Sequence, residues 1–160
     1  MMNDRTSSTL LAKHMAQAPV DVYQLADDLG IPVHDVVSKD DDFAGSLTHS
    51  GGDYVIRTNR LHHPNRRRFT VAHELGHFFL HRDLIENSIT DSVKYRYKPE
   101  ANRLVQDQHE IEANKFAAGL LMPAHLVKQL LDEGLDVEEI ARRLEVSKQA
   151  LEIRMKSIRR

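Results

Sequence analysis

The stretch FTVAHELGHFFLH, running from Phe69 to His81, decides how this chain folds and what it holds. Phe69, Val71, Ala72, Leu75, Phe78, Phe79 and Leu80 make its helix apolar on nearly every face, which is the signature of a helix enclosed in a core. Into that setting the sequence puts His73, Glu74 and His77, an HExxH arrangement. Burying such groups without partners costs roughly 2–7 kcal/mol each. A metal ion removes the cost directly, and this argues against a bare His/Glu hydrogen-bond cluster. Four residues apart, His73 and His77 stack on one face about 6 Å apart along the axis and can pinch one ion. Glu74 lies about 100° further round the helix, close to such an ion but not aimed to ligate it. That is the place of a general base. An ion such as zinc lowers the pKa of its water toward ~7, and Glu74 takes the proton and passes it to a leaving amine.

A catalytic zinc needs a third protein ligand. His81 continues the four-residue series but stands about 12 Å from His73 on a straight helix, so it reads as a helix cap or a support behind a ligand. Asp83 falls where the extended metzincin motif places its last ligand. That motif needs a glycine three residues after His77, and Leu80 stands there. The second long helix offers more. In HEIEANKFAAGLLMP, His109 to Pro123, the apolar stripe is Ala113, Phe116, Ala117, Leu120 and Leu121. A helical wheel sets Glu110 beside Ala113, Asn114 and Ala117, and turns Glu112 about 160° away, toward the outside. Glu110 is the favoured third ligand, with His109 next and Glu112 also open. Asn114, one turn beyond Glu110, can orient a ligating histidine through its other ring nitrogen.

The 160 residues are 41% apolar and 29% charged, with net charge −2 and no cysteine. This composition suits one soluble globular domain with a helical appendage. Disulfides, thiolate metal sites and cysteine nucleophiles are excluded. No long apolar run suggests a signal peptide or a membrane span, so a cytoplasmic location is expected. Helices are expected over about Ser8–Gln17 and over VYQLADDLG, the latter begun by a capping box at Asp21 and Gln24 and stopped at Gly30. FAGSLTHSGGDYVIRTN reads as a hairpin turning at Ser50-Gly51-Gly52-Asp53. The long helices are expected at about Arg66–Asp83 and Ala101–Leu121, joined by a loop. Three more helices fill the end, separated at Gly134 and at Ser147. The order predicts an α+β fold with a small antiparallel sheet packed on the two long helices.

Weaker signals complete the reading. Tyr95, Tyr97 and Tyr54 are candidate donors to a tetrahedral oxyanion, and the loop holding the first two could close as a lid. The strand Asp53–Asn59 could offer an edge to an extended substrate, or simply cover the long helix. Arg57, Arg60 and Arg66–Arg68 form a basic run that could attract an acidic partner, although such runs are more often a solvated first turn. DVEEIARRLEVSKQALEIRMK has helix-turn-helix character, with Glu145 where a turn glycine is usual. Its near-balanced charge favours packing or a protein partner over DNA.

FTVAHELGHFFLH followed by EIEANKFAAGLLMP resembles the ImmA/IrrE metallopeptidases, a gluzincin-like group, and VDVYQLADDLGIPV, GDYVIRTN and IARRLEVSKQALEIRMKSI extend the resemblance over most of 20–157. It implies a zincin-like core over 1–122 and a packed helical, helix-turn-helix-like segment over 123–160. It implies one Zn2+ on His73, His77 and Glu110, with Glu74 as base, and with Asn114 (where an aspartate is frequent) and His109 supporting the ligands. It further implies a bacterial cytoplasmic endopeptidase that cleaves a helix-turn-helix repressor or antitoxin encoded nearby. The rival is a non-catalytic zinc-containing regulator acting through its C-terminal helices on DNA or a protein.

Overall fold

The computed structural model describes residues 3–40, 42–86 and 103–159, with 103–106 as backbone only. Two short helices lead: α1 (Asp4–His14) and α2 (Val22–Asp28). Asn3 accepts the Thr6 backbone N–H at 2.8 Å, so α1 starts earlier than the expected Ser8. Asp21 caps α2 by accepting from the Gln24 N–H at 3.0 Å. The Gln24 side chain turns instead to Asp28, 2.9 Å away, so half of the expected capping box is present.

Strands β1 (Val33–Val36), β2 (Gly45–Ser50) and β3 (Asp53–Asn59) form a sheet in the order β1-β3-β2. The β2–β3 hairpin turns where expected, and Gly51 and Gly52 take φ of 58° and 89°, angles that only glycine adopts freely. The antiparallel sheet expected from the sequence is corrected here: β1 runs parallel to β3, with Val33 opposite Ile56 and Val36 opposite Asn59. Parallel neighbours need a connection that carries the chain across, and the segment between Val36 and Gly45 takes it past the end of β3. β3 is therefore the central strand, and along Ile56–Asn59 the edge suggested for Asp53–Asn59 is occupied by β1.

Fully buried Asn59 holds that crossing segment. Its Nδ2 donates to the Ser38 and Phe43 carbonyls at 3.0 Å each, and its Oδ1 accepts from the Leu61 N–H at 3.1 Å. Asn59→Ala leaves these groups without their partner. We expect a loss of about 2 kcal/mol and a Tm drop of roughly 4–8 °C, read by calorimetry.

Helix α3 (Pro64–Leu80) carries the HExxH stretch. Pro64 fits its first turn, where no N–H partner is lost, and the His63 ring accepts the Asn65 N–H at 3.0 Å. A short helix, α4 (Arg82–Glu86), follows, and α5 (Arg103–Leu121) carries the second motif. The helices α6 (Ala124–Asp132), α7 (Val137–Leu144) and α8 (Lys148–Ile158) come last. Gly134 at φ 85° ends α6. Asp136 and Glu139 make a reciprocal capping box on α7, and Ser147 caps α8. Val71, Leu75, Leu47, Ile56, Leu121, Leu130, Ile140 and Leu151 belong to one apolar cluster joining the sheet, α3, α5 and the last three helices.

The arginine run at the start of α3 is structural in part. Arg67 pairs with Asp35 at 2.5 Å. Buried Arg68 donates to the Leu144 and Glu145 carbonyls at 3.3 Å and pairs with the Glu145 carboxylate at the same distance. Glu145 has the left-handed φ of 54° that a turn glycine would take at lower cost. Arg68 clamps that turn onto α3.

Candidate metal centre

The closest approach of the two long helices sets up the site. A Cβ built on Gly76 would stand 3.1 Å from the Cα and carbonyl oxygen of Ala113 and 3.2 Å from the Phe116 Cβ. The two backbones thus meet between the histidine face of α3 and the Glu110–Asn114 turn of α5. There His73 Nε2 lies 2.9 Å from Glu110 Oε2, and His77 Nε2 lies 3.1 Å from Glu110 Oε1. The two Nε2 atoms are 3.2 Å apart. Among the described residues, His73, His77 and Glu110 are the group whose donor atoms converge closely enough to hold a metal ion.

The chemistry of this triangle suits a divalent cation. Asn114 Oδ1, an acceptor, lies 2.7 Å from His73 Nδ1, so that nitrogen carries the hydrogen. In the neutral ring the Nε2 lone pair then faces the lone pairs of Glu110, an opposition that a cation between them resolves. Ligands about 2.1 Å from a tetrahedral ion stand roughly 3.4 Å apart, close to the spacing seen here. The ionisation tendencies agree. Burial disfavours the charged form of both rings. In His73 the hydrogen bond to Glu110 and the charges of Glu74 and Glu110 outweigh it and raise the pKa, whereas in His77 burial prevails and the pKa falls. Burial pushes Glu110 up, but its hydrogen bonds with both histidines hold it well below the usual carboxylate range.

Glu74 is 2% exposed on α3, with its charge felt at His73. His81 and Glu112 join the site from behind. His81 Nδ1 is 2.9 Å from His77 Nδ1, and His81 Nε2 is 3.0 Å from Glu112 Oε2. His109 packs its ring on His81, centroid to centroid at 4.4 Å, and stands outside the donor triangle. The sequence reading missed the Glu112–His81 link. Its signal was there in the four-residue spacing of His77 and His81, but the wheel sent Glu112 outward. A wheel gives the direction of a Cβ, whereas a glutamate can reach sideways to the end of a neighbouring helix.

Tyr54 sets its ring edge-on to Phe78 and donates its hydroxyl to Glu86. Burial and that carboxylate raise its pKa. Tyr95 and Tyr97 lie outside the described residues.

Comparison with known proteins gives this geometry a family. The peptidase family M78, described as the IrrE N-terminal-like domain, matches residues 26–156. The chain belongs to that family. Its ImmA/IrrE relatives include the radiation response metalloprotease IrrE of Deinococcus deserti, 39% identical over 98 residues, which are 59% of this chain and 33% of that protein. The metallopeptidase ImmA of Bacillus subtilis is 30% identical over 91 residues, 55% of this chain and 47% of that protein. The chain thus spans about a third to a half of the length of these relatives. In fold, it resembles the solved structure of a Mycobacterium tuberculosis transcriptional regulator, with a TM-score of 0.57 over 94% of this chain and 45% of that one, at 18% identity. No helix among the described residues is long and apolar enough to cross a membrane.

Proposed function

We propose that the chain is a zinc-dependent endopeptidase that cleaves a protein regulator, a helix-turn-helix repressor or antitoxin encoded nearby. The observation that carries this is the convergence of His73, His77 and Glu110 beside the buried carboxylate of Glu74. A divalent cation there supplies Lewis acidity, polarising a peptide carbonyl and making water acidic enough to attack near neutral pH. Glu74 takes the proton of the attacking water and delivers it to the departing amine. Asn114 holds the His73 ring at 2.7 Å so that its Nε2 stays turned toward Glu110. Burial of Glu74 and both imidazoles keeps bulk water away and strengthens each electrostatic contact. The names of the IrrE and ImmA relatives, both metal-dependent proteases, support the reaction class. A bacterial cytoplasmic location accords with such a substrate.

Glu74→Gln separates catalysis from binding alone. The amide keeps the size of the side chain and cannot take a proton. In a strain co-expressing the neighbouring repressor, we expect wild type to shorten the repressor and the variant to leave it intact, with a loss of at least about 10²-fold. Zinc per chain stays unchanged. Equal biological effect from both proteins overturns the catalytic reading and favours a regulator acting through its C-terminal helices.

A further inference from the structure

Behind His77 the structure places a second imidazole and a carboxylate in line, and the order of donors along that line is fixed from one end. We infer that Glu112, acting through His81, is a positioning residue that locks His77 in the ring form whose Nε2 lone pair faces Glu110 and His73. This rests on the metal reading above.

An ionised carboxylate only accepts hydrogen bonds. At 3.0 Å from Glu112 Oε2, His81 Nε2 therefore carries a hydrogen and donates it. In its neutral form His81 has one N–H and one lone pair, and its Nδ1 is then the acceptor. Its neighbour at 2.9 Å is His77 Nδ1, which must be the donor. His77 Nε2 is then bare and directed at the donor triangle, 3.1 Å from Glu110 and 3.2 Å from His73. The His77 and His81 side chains are 1% and 4% exposed, so water does not replace these bonds, whereas Glu112 is 40% exposed at the outer end.

The line is held at several points. The His81 backbone N–H donates to the His77 carbonyl at 2.8 Å, which fixes the ring at the end of α3. Gln108 donates to the other oxygen of Glu112 at 3.2 Å, and His109 packs on the His81 ring. Both ligand rings are thus set from α5. Asn114 sets His73 in one step, and Glu112 sets His77 in two. The two-step line ends in a carboxylate, a stronger acceptor than the Asn114 amide that ends the other.

The test is zinc affinity by competition with a chromophoric chelator, on the full chain as wild type, Glu112→Ala and Glu112→Gln. Because Glu112 is exposed, neither substitution threatens folding, and melting of the metal-free proteins verifies it. We expect Glu112→Ala to weaken zinc binding about 10- to 100-fold. Glu112→Gln, which keeps an acceptor oxygen but not the charge, should fall between it and wild type. In the 15N-labelled zinc-loaded wild type, a scalar coupling should join the two Nδ1 atoms across their hydrogen bond, with the proton on His77. Glu112→Ala should move that proton upfield. Zinc affinity within about twofold of wild type in Glu112→Ala, or a shared proton residing on His81, overturns the inference and leaves the metal site standing. A wild-type chain that takes up no zinc overturns the metal reading itself.

Discussion

Glu110→Ala is expected to leave a folded protein that no longer retains zinc. Of the three converging side chains, Glu110 is the one that α5 contributes, and it faces both histidines at 2.9 and 3.1 Å. Four-ligand zinc sites bind with about 10–16 kcal/mol, or roughly 3–4 kcal/mol per ligand. Losing one ligand is therefore expected to lower affinity by about 10²–10³-fold, taking metal per chain from about one to near zero after purification. Elemental analysis reads this directly. His109→Ala and Glu112→Ala are the companions: with zinc in excess, both should still bind about one ion per chain. Full zinc retention in Glu110→Ala would move the site elsewhere, and the proposed mechanism would fall with it. The carboxylate also stabilises positive charge on His73, so the metal-free variant should stay folded but melt somewhat below the metal-free wild type.

Gly76→Val should damage stability and metal binding together. The first added carbon already meets the Ala113 backbone at 3.1 Å, and valine adds two methyls beyond it. Helix backbones cannot yield as a flexible side chain does, so α3 and α5 must part. Overpacking of this kind costs about 3 kcal/mol, or a Tm drop of roughly 6–12 °C. Separation by even ~1 Å exceeds what a ligand set tolerates, and zinc affinity should fall at least tenfold. Gly76→Ala should lie between, because alanine regains about 1 kcal/mol of helix propensity while its neighbours shift by a few tenths of an ångström. Gly119, on the facing helix α5, is the control. An added Cβ there would meet only the flexible end of Arg154, at 4.0 Å, so Gly119→Ala should be neutral or stabilising. Calorimetry and zinc titration of the three variants provide the comparison, and a fully stable, zinc-binding Gly76→Val would show that the helix contact does not set the site.

The parts legible in the sequence were those governed by local period and spacing. The His73–His77 pair, the inward turn of Glu110 and the reach of Asn114 to a ring all follow from 100° per residue on two helices. The hairpin at Gly51-Gly52 and the caps at Asp21 and Ser147 follow from short-range turn chemistry. What escaped depends on how elements meet. Whether β1 runs parallel or antiparallel to β3 is set by the path of 37–40 and 42–44 and by Asn59, a single buried amide with no pattern around it. The contact of Gly76 with Ala113 needs both helices in place before either residue looks special. Arg68 resembled part of a solvated basic run until its partners, two carbonyls and Glu145 more than 70 positions away, came into view.

The donor set is divided, two nitrogens on α3 and an oxygen on α5, with residues 81 to 102 between those helices. An isolated peptide spanning α3 would offer one ion only half a grip. Zinc held by this set would thus be a ligand of the assembled tertiary structure and would bind the unfolded chain far more weakly. By mass action, free zinc at a hundred times its dissociation constant adds about 2.7 kcal/mol to the folded state. The melting temperature should therefore climb steadily with the free zinc level. In a zinc-starved cell, the proposed peptidase would then lose activity and be more readily degraded, so its abundance as well as that activity would follow the metal supply.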